Sequence, residues 1–437
     1  MKNKNLLLLL ADRKYGLKPF KVLKDLEKSQ YYPTEKLEEM QLEYLKAIVA
    51  HSAEHVPFYI EYAKTHDVTI NSLDDIKKLP IVDKKLINSR YNDFVADDAK
   101  KPYFIAKTTG SSGVPFAFIK DRVGESYKIA TRLRARNWYG IGRCDRTLKI
   151  SGIPPVGMNW MWHLKEFIRF KATKKSEIFI SEMTDDNIPN LVKKINKINP
   201  EGIIGLAGGV ALLAVKLKDN PDLKVNIKAI FTNSESITPL QRKQIKECFG
   251  VEPRSDYAAT EGCIGQECEY GHMHISMEEC FVEIINEDEN GVGDLVLTML
   301  HSTDMPLLRY KIGDRGRWLN GTCECGRGLV MIDEVMGRET DVIVLPNGKE
   351  YSSANINYVP SNLKNIDNLA GYQLFQTAAD QVLLKMVLID KNNTAVVDEM
   401  KEEFEKIFEG CTLTVEICDE LEHGKGGKLR IVNALKK

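Results

Sequence analysis

The sequence predicts an α/β protein: a large N-terminal domain of mostly parallel sheets covered by helices, then a small, mobile α+β domain. Three observations carry this. Residues 1–100 place apolar side chains at helical spacing. From about residue 101, short apolar runs alternate with glycine-rich loops and amphipathic stretches. After residue 336 the pattern restarts as a compact unit of about 100 residues.

In the helical segment 1–100, Leu37, Met40, Leu42, Leu45, Ile48 and Val49 share one face, and charges fill the other. Pro57 breaks that pattern. Asp83 in LPIVDKKLI is positioned to cap the next helix. YFIAK and FAFIKD read as strands on either side of a Gly/Ser/Thr loop. GIIGLAGG at 202–209 is a short apolar run ending in glycines, KAIFT at 228–232 a strand, and TPLQRKQIKECFG a helix closing at Gly250. Strand–loop–helix repetition implies a parallel sheet, and such sheets hold ligands at the carboxyl ends of their strands. From 281 to 335 FVEIINED, GDLVLTML and GLVMIDEV read as strands, with a hairpin turn at Asn290-Gly291. A boundary near Gly337 separates domains 1–336 and 337–437.

Composition excludes several classes. Lys plus Arg number 61 and Asp plus Glu 62, so no bulk charge drives binding to a nucleic acid. No apolar run approaches the roughly 20 residues that span a bilayer. Lys2 and Lys4 precede Leu6–Leu10, but Asp12, Arg13 and Lys14 follow too soon for a signal peptide, so a short helix is expected there. A cytoplasmic location follows, and the nine cysteines are then reduced thiols rather than a disulfide framework.

Five motifs carry chemistry. Lys107-Thr108-Thr109-Gly110-Ser111-Ser112-Gly113 follows a strand, so hydroxyls and backbone N–H groups can converge on an anion. It lacks the Gly-Lys-Ser/Thr ending of a P-loop. Tyr257-Ala258-Ala259-Thr260-Glu261-Gly262 combines an aromatic cover, a hydroxyl and a carboxylate able to hold Mg²⁺. In Arg309-Tyr310-Lys311-Ile312-Gly313-Asp314 the aspartate is expected on a tight turn, where it can accept two ribose hydroxyls. Gly337-Arg338-Glu339-Thr340-Asp341 marks the domain boundary. Gly426-Gly427-Lys428-Leu429-Arg430 offers a lysine on a glycine-flanked loop, suited to neutralising phosphate charge. Taken singly, each also fits a flexible turn, a strand end, a hairpin or a solvated tail.

In this order the five motifs resemble those of the adenylate-forming enzymes: acyl-coenzyme A synthetases, peptide-synthetase adenylation domains and luciferases. The phenylacetate–coenzyme A ligase branch, which includes ligases called capsular polysaccharide biosynthesis proteins, is most similar, and QLEYLKAIVAHSAEHVPFYIEY looks like its helical beginning. The resemblance spans nearly the whole chain. It implies an ATP-dependent, AMP-forming ligase that activates a carboxylic acid as acyl-adenylate and passes it to a thiol, with coenzyme A the expected acceptor. The alternatives are an amine acceptor, or AMP transfer to an acceptor in surface-polysaccharide or cofactor metabolism.

The resemblance also implies roles. Thr108, Thr109, Gly110, Ser111, Ser112 and Gly113 would hold the β- and γ-phosphates of ATP. Ser234 and Glu235 would line the adenine pocket, with Tyr257 and Ala258 beside the base. Thr260 would contact the α-phosphate, Glu261 would ligate Mg²⁺, and Asp314 would bind the ribose. Arg338 would lie near ribose and phosphates, and Lys428 would be the adenylation lysine. Two departures stand out. Thr340, with Asp341 next, stands at the expected hinge position, where the family often has an acidic residue, and the lysine loop lacks a nearby proline.

Within 263–327, ECEYGHMH and TCECGRG supply soft ligands suited to structural Zn²⁺. Cys268, His274, Cys323 and Cys325 are the expected set, with His272 the rival to His274. Reduced cysteines on a hairpin are the alternative, and no basic stripe flanks them to suggest a nucleic acid. The acyl pocket is expected near Gly208 and Gly209, with an aromatic rim from Trp160 and Trp162 or, equally, surface aromatics packed under a loop.

Overall fold

The computed structural model describes residues 6–100, 104–107, 117–152, 170, 173–333, 342–357, 359–424 and 427–435. The chain forms two compact units, one of residues 1–144 with 256–335 and one of residues 145–255 with 336–437. No described helix is long and apolar enough to cross a membrane.

In the first unit, helix Thr34–His55 buries Leu37, Leu45, Ile48 and Val49, the face its spacing predicts. Pro57 then opens helix Pro57–Ala63, where its missing amide hydrogen costs nothing. Asp83 caps helix Lys84–Ser89 by accepting the Leu86 N–H at 2.8 Å. These helices share a core with an antiparallel sheet of Cys280–Ile285, Gly293–Met299 and Tyr310–Gly316. Gly291 turns the hairpin with φ of +73°, a left-handed value that glycine adopts without strain.

Two features of this unit differ from expectation. Among the described residues of GLVMIDEV, strand structure is limited to Met331–Ile332, and Gly328 is bound sideways. Its N–H donates to Gln30 and its carbonyl accepts from Thr34 Oγ1. Asp314 lies not on a tight turn but inside strand Tyr310–Gly316. There Asp294 pairs with Arg315 while Val296 pairs with Lys311, so Ile312-Gly313-Asp314 faces a single partner residue. This is a β-bulge, with Gly313 at φ of +92°, and it re-aims the aspartate.

Arg309 anchors the start of that strand. It has φ of +46°, unusual for a residue with a side chain. Its guanidinium donates to both oxygens of Glu283, at 2.9 and 3.0 Å, and to the carbonyls of Lys77 and Leu79. Both side chains of the pair are nearly enclosed.

The second unit holds the parallel sheet. Its strands run Lys175–Phe179, Thr147–Ser151, Gly202–Leu206 and Ala229–Asn233 in spatial order. Helices Ile188–Ile198, Ala207–Leu217 and Pro239–Phe249 contribute to its apolar core. The glycines after Gly202–Leu206 are the first turn of helix Ala207–Leu217, not a free loop. Thr238 and Gln241 form a capping box and Gly250 closes the helix left-handed, as TPLQRKQIKECFG predicts.

Residues 342–435 add a four-stranded mixed sheet, Thr412–Ile417, Gln381–Leu388, Leu369–Ala378 and Val432–Asn433, with helix Ala395–Ile407. Helix Pro239–Phe249 packs on it. Leu240 joins its core, and Gln244 donates to the carbonyls of Leu369 and Ala370. Lys243 pairs with Asp367. Sheet pairing in the first unit is antiparallel because its strands are joined by hairpins too short for a crossover.

Candidate active site and metal cluster

The Tyr257–Gly262 motif sits where strand Arg254–Ala258 turns back into strand Cys263–Glu267. The turn closes through the Ala259 N–H and the Gly262 carbonyl at 2.9 Å. A Cβ on Gly262 would lie 2.3 Å from Met299 Cε, so a side chain there would displace the end of that methionine. Glu261 is buried and accepts the Tyr310 hydroxyl at 3.1 Å. The Tyr257 hydroxyl donates to Asp314 Oδ2 at 2.9 Å. Thus the two carboxylates singled out for Mg²⁺ and ribose are each oriented by a tyrosine.

Lys128, on helix Arg122–Asn137, holds the turn from behind. Its Nζ donates to the carbonyls of Ala259 at 2.9 Å and Thr260 at 2.7 Å. Burial pushes its pKa down to about 7, with Lys120 and Arg132 adding to the effect. Glu279 accepts the Cys263 N–H at 2.8 Å, and burial pushes its carboxyl up to about 7. A Lys128→Met variant leaves two carbonyls without their donor. The expected loss is roughly 1–3 kcal/mol for each, read as a lower denaturant midpoint. An unchanged midpoint would show that these bonds contribute nothing.

In the second unit, Lys428 lies on a tight hairpin. Gly424 N–H donates to the Lys428 carbonyl, Gly427 N–H to Gly424, and His423 bridges Leu429. Gln373 ties both ends, donating to the carbonyls of Glu422 and Arg430. Gly427 has φ of +76°, and a Cβ there would lie 2.2 Å from Gly152 Cα. Ser234 also has positive φ, +68°, at the end of strand Ala229–Asn233. The Glu235 carboxylate accepts the Gly208 N–H at 2.9 Å and the Leu429 N–H at 2.7 Å. Burial pushes its pKa up to about 7, against those two bonds and the attraction of Lys428. Of the glycines assigned to an acyl pocket, Gly208 faces Leu429 and Glu235, whereas Gly209 faces Ile150 and Ile180.

Cys268, His274, Cys323 and Cys325 converge in the first unit, their ligand atoms all within 4.8 Å of one another. Cys268 and Cys323 sulfurs are 3.6 Å apart, and His274 Nε2 is 3.3 Å from Cys325 Sγ. His274 Nδ1 lies 3.0 Å from the Leu329 carbonyl, which holds that nitrogen as the donor and leaves Nε2 facing the sulfurs. His272 Nδ1 is 3.2 Å from Cys323 Sγ, so it borders the cluster. Burial keeps His274 below its ordinary pKa and pushes the Cys323 thiol up to about 12. Arg327 stands beside the cluster, stacked 4.0 Å over Trp138 and paired with Glu269.

Thr108, Thr109, Gly110, Ser111, Ser112, Gly113, Trp160, Trp162 and Arg338 lie outside the described residues. Strands Phe104–Lys107 and Ala117–Lys120, which bracket the first of these motifs, pair antiparallel with Phe104 opposite Lys120. Lys128, Tyr310 and Gln373 have roles that no spacing signals. Tyr310 stood within a quoted motif, but its partner Glu261 is 49 residues away.

No family model matches the chain. Protein CapK of Staphylococcus aureus is 25% identical over 393 residues, covering 87% of this chain and 85% of that protein. A phenylacetate-coenzyme A ligase of Thermus thermophilus is 24% identical over 344 residues, covering 72% and 73%. Among solved structures, a 2-hydroxyisobutyryl-CoA ligase in its postadenylation state superposes with a TM-score of 0.72. It is 17% identical, with 94% of this chain and 91% of that chain covered. The chain is therefore similar, over most of its length, to adenylate-forming acid–coenzyme A ligases and to CapK. The α/β fold of the 2-hydroxyisobutyryl-CoA ligase is present here over nearly the full length.

Proposed function

We propose that this chain is an ATP-dependent, AMP-forming ligase that activates a carboxylic acid as acyl-adenylate and transfers the acyl group to a thiol, coenzyme A being the best candidate. The observation that carries the reading is the pair of carboxylates, Glu261 and Asp314, each fixed by a tyrosine hydroxyl. The relatives named as CapK and as a coenzyme A ligase support it.

The substrate carboxylate attacks the α-phosphorus of ATP, and pyrophosphate leaves. Both partners are anions, so the protein's work is positioning and charge neutralisation. Lys428 supplies positive charge to the phosphates. The loop 108–113 holds the β- and γ-phosphates, Thr260 the α-phosphate, Asp314 the ribose, and Tyr257, Ala258 and Ser234 the base, with Arg338 near ribose and phosphates. Glu261 offers the hard oxygen that Mg²⁺ prefers, and the bound ion would screen the triphosphate. Trp160, Trp162 and Gly208 are assigned to the acyl side. The segment 337–341 is read as the hinge on which a small domain turns between the two half-reactions.

Pyrophosphate–ATP isotope exchange across a panel of carboxylic acids tests this directly. Acid-dependent exchange with AMP as the final product is expected. Formation of ADP instead would remove the reading.

The four-residue cluster is read as a structural Zn²⁺ site. Ligands on a tetrahedral zinc stand roughly 3.3–3.8 Å apart, given Zn–S near 2.3 Å and Zn–N near 2.0 Å. Two of the spacings, 3.6 Å between Cys268 and Cys323 and 3.3 Å between His274 and Cys325, fall in that range, and a set closed by four protein ligands would be structural. Protein purified without chelator from a zinc-replete, reducing cytoplasm is expected to carry about one equivalent of zinc, and Cys323→Ser to lose most of it. Metal analysis giving well under one equivalent in the parent protein would refute the site.

A further inference from the structure

We propose that Glu235 is a positioning residue that docks the Lys428 hairpin for adenylation, rather than a contact to the base. The inference rests on the reading of Lys428 given above. Glu235 follows strand Ala229–Asn233 and uses both carboxylate oxygens on backbone amides from two separate segments. Oε2 takes the Gly208 N–H in the first turn of helix Ala207–Leu217, and Oε1 takes the Leu429 N–H. Leu429 is the residue next to Lys428, so this bond fixes the lysine's own peptide.

Two further contacts require the same docking. A Cβ on Gly208 would lie 3.0 Å from Leu429 Cβ, so the hairpin rests against a position that has no side chain. Gly427 lies against Gly152, where a Cβ would meet backbone at 2.2 Å. Glycines permit the approach, and Glu235 supplies its directional bond. The geometry demands a carboxylate. Two N–H donors face it, and an amide side chain would turn its own NH₂ against one of them. Aspartate, one methylene shorter, cannot span both.

A role as docking point predicts a split between the half-reactions. Glu235→Gln should lower kcat of pyrophosphate exchange about 10- to 100-fold, the range for losing one charge-assisted hydrogen bond. KM for ATP should stay within about twofold. Thioester formation from a supplied acyl-adenylate and coenzyme A should keep at least its parent rate. Combined with Lys428→Ala, Glu235→Gln should add no further loss, because one residue acts through the other. Amide hydrogen exchange of 423–429 should speed up in the Gln variant, a readout independent of activity.

A raised KM for ATP with unchanged kcat would restore the adenine-pocket role and overturn the proposal. So would equal losses in both half-reactions, or unchanged protection of the Leu429 amide. If Lys428→Ala exchanges as fast as the parent, the lysine assignment fails on its own, and faster exchange of 423–429 in Glu235→Gln would still establish the docking bond.

Discussion

Replacing Lys428 with alanine is expected to cut pyrophosphate exchange by about 10² to 10³, the effect of removing one strong charge contact made in the transition state. The hairpin that carries it should survive. Its closure uses backbone bonds among Gly424, Gly427, Lys428 and Leu429, and Gln373 ties its ends. The alanine variant should therefore unfold at the parent's denaturant midpoint while losing rate. KM for ATP should change far less than kcat, since the charge acts mainly where the phosphorus is attacked. Exchange at the parent's rate would end the assignment of Lys428.

Arg309→Met is expected to cost about 3–5 kcal/mol of stability, because it leaves the Glu283 carboxylate buried without its partner. It also strips donors from the Lys77 and Leu79 carbonyls, which join the segment before Asp83 to the strand. Denaturant unfolding reads the loss. A second change, Glu283→Leu, should recover much of it, since a paired apolar replacement removes the orphaned charge. No recovery in the double variant would mean that the carbonyl bonds, not the ion pair, dominate. Activity should fall along with stability, for Arg309 precedes both Tyr310 and the bulge bearing Asp314.

The sequence made some of this legible and hid the rest for physical reasons. Local signals were read well. The helical face from Leu37 to Val49, the Asp83 cap and the Thr238–Gly250 helix depend on residues within one or two turns of each other. The sulfur cluster was also readable, because two short-range patterns each announce soft ligands. The bulge at Asp314 was not, since it exists only in the mismatch with Asp294 and Val296 on another strand. Lys128 carries no signature, as its partners are carbonyls 131 and 132 residues away. The two bonds that Glu235 makes were not legible either. Its two partners, 27 and 194 residues distant, are backbone groups with no residue-type signature.

The way the chain is shared between its units bears on how it must fold. Residues 1–144 cannot complete their core until 280–316 have been made, because Leu45 and Ile48 pack with Leu295, Leu297 and Tyr310. Residues 145–255 likewise wait for the final hundred, since Leu240 belongs to a cluster with Leu369 and Met386. During synthesis both halves expose apolar surface for most of translation, and their decisive contacts are long-range, which slows folding and favours aggregation. A ribosome-bound chain ending near residue 255 is therefore a strong client for holdase chaperones, and the same protein released whole needs them least.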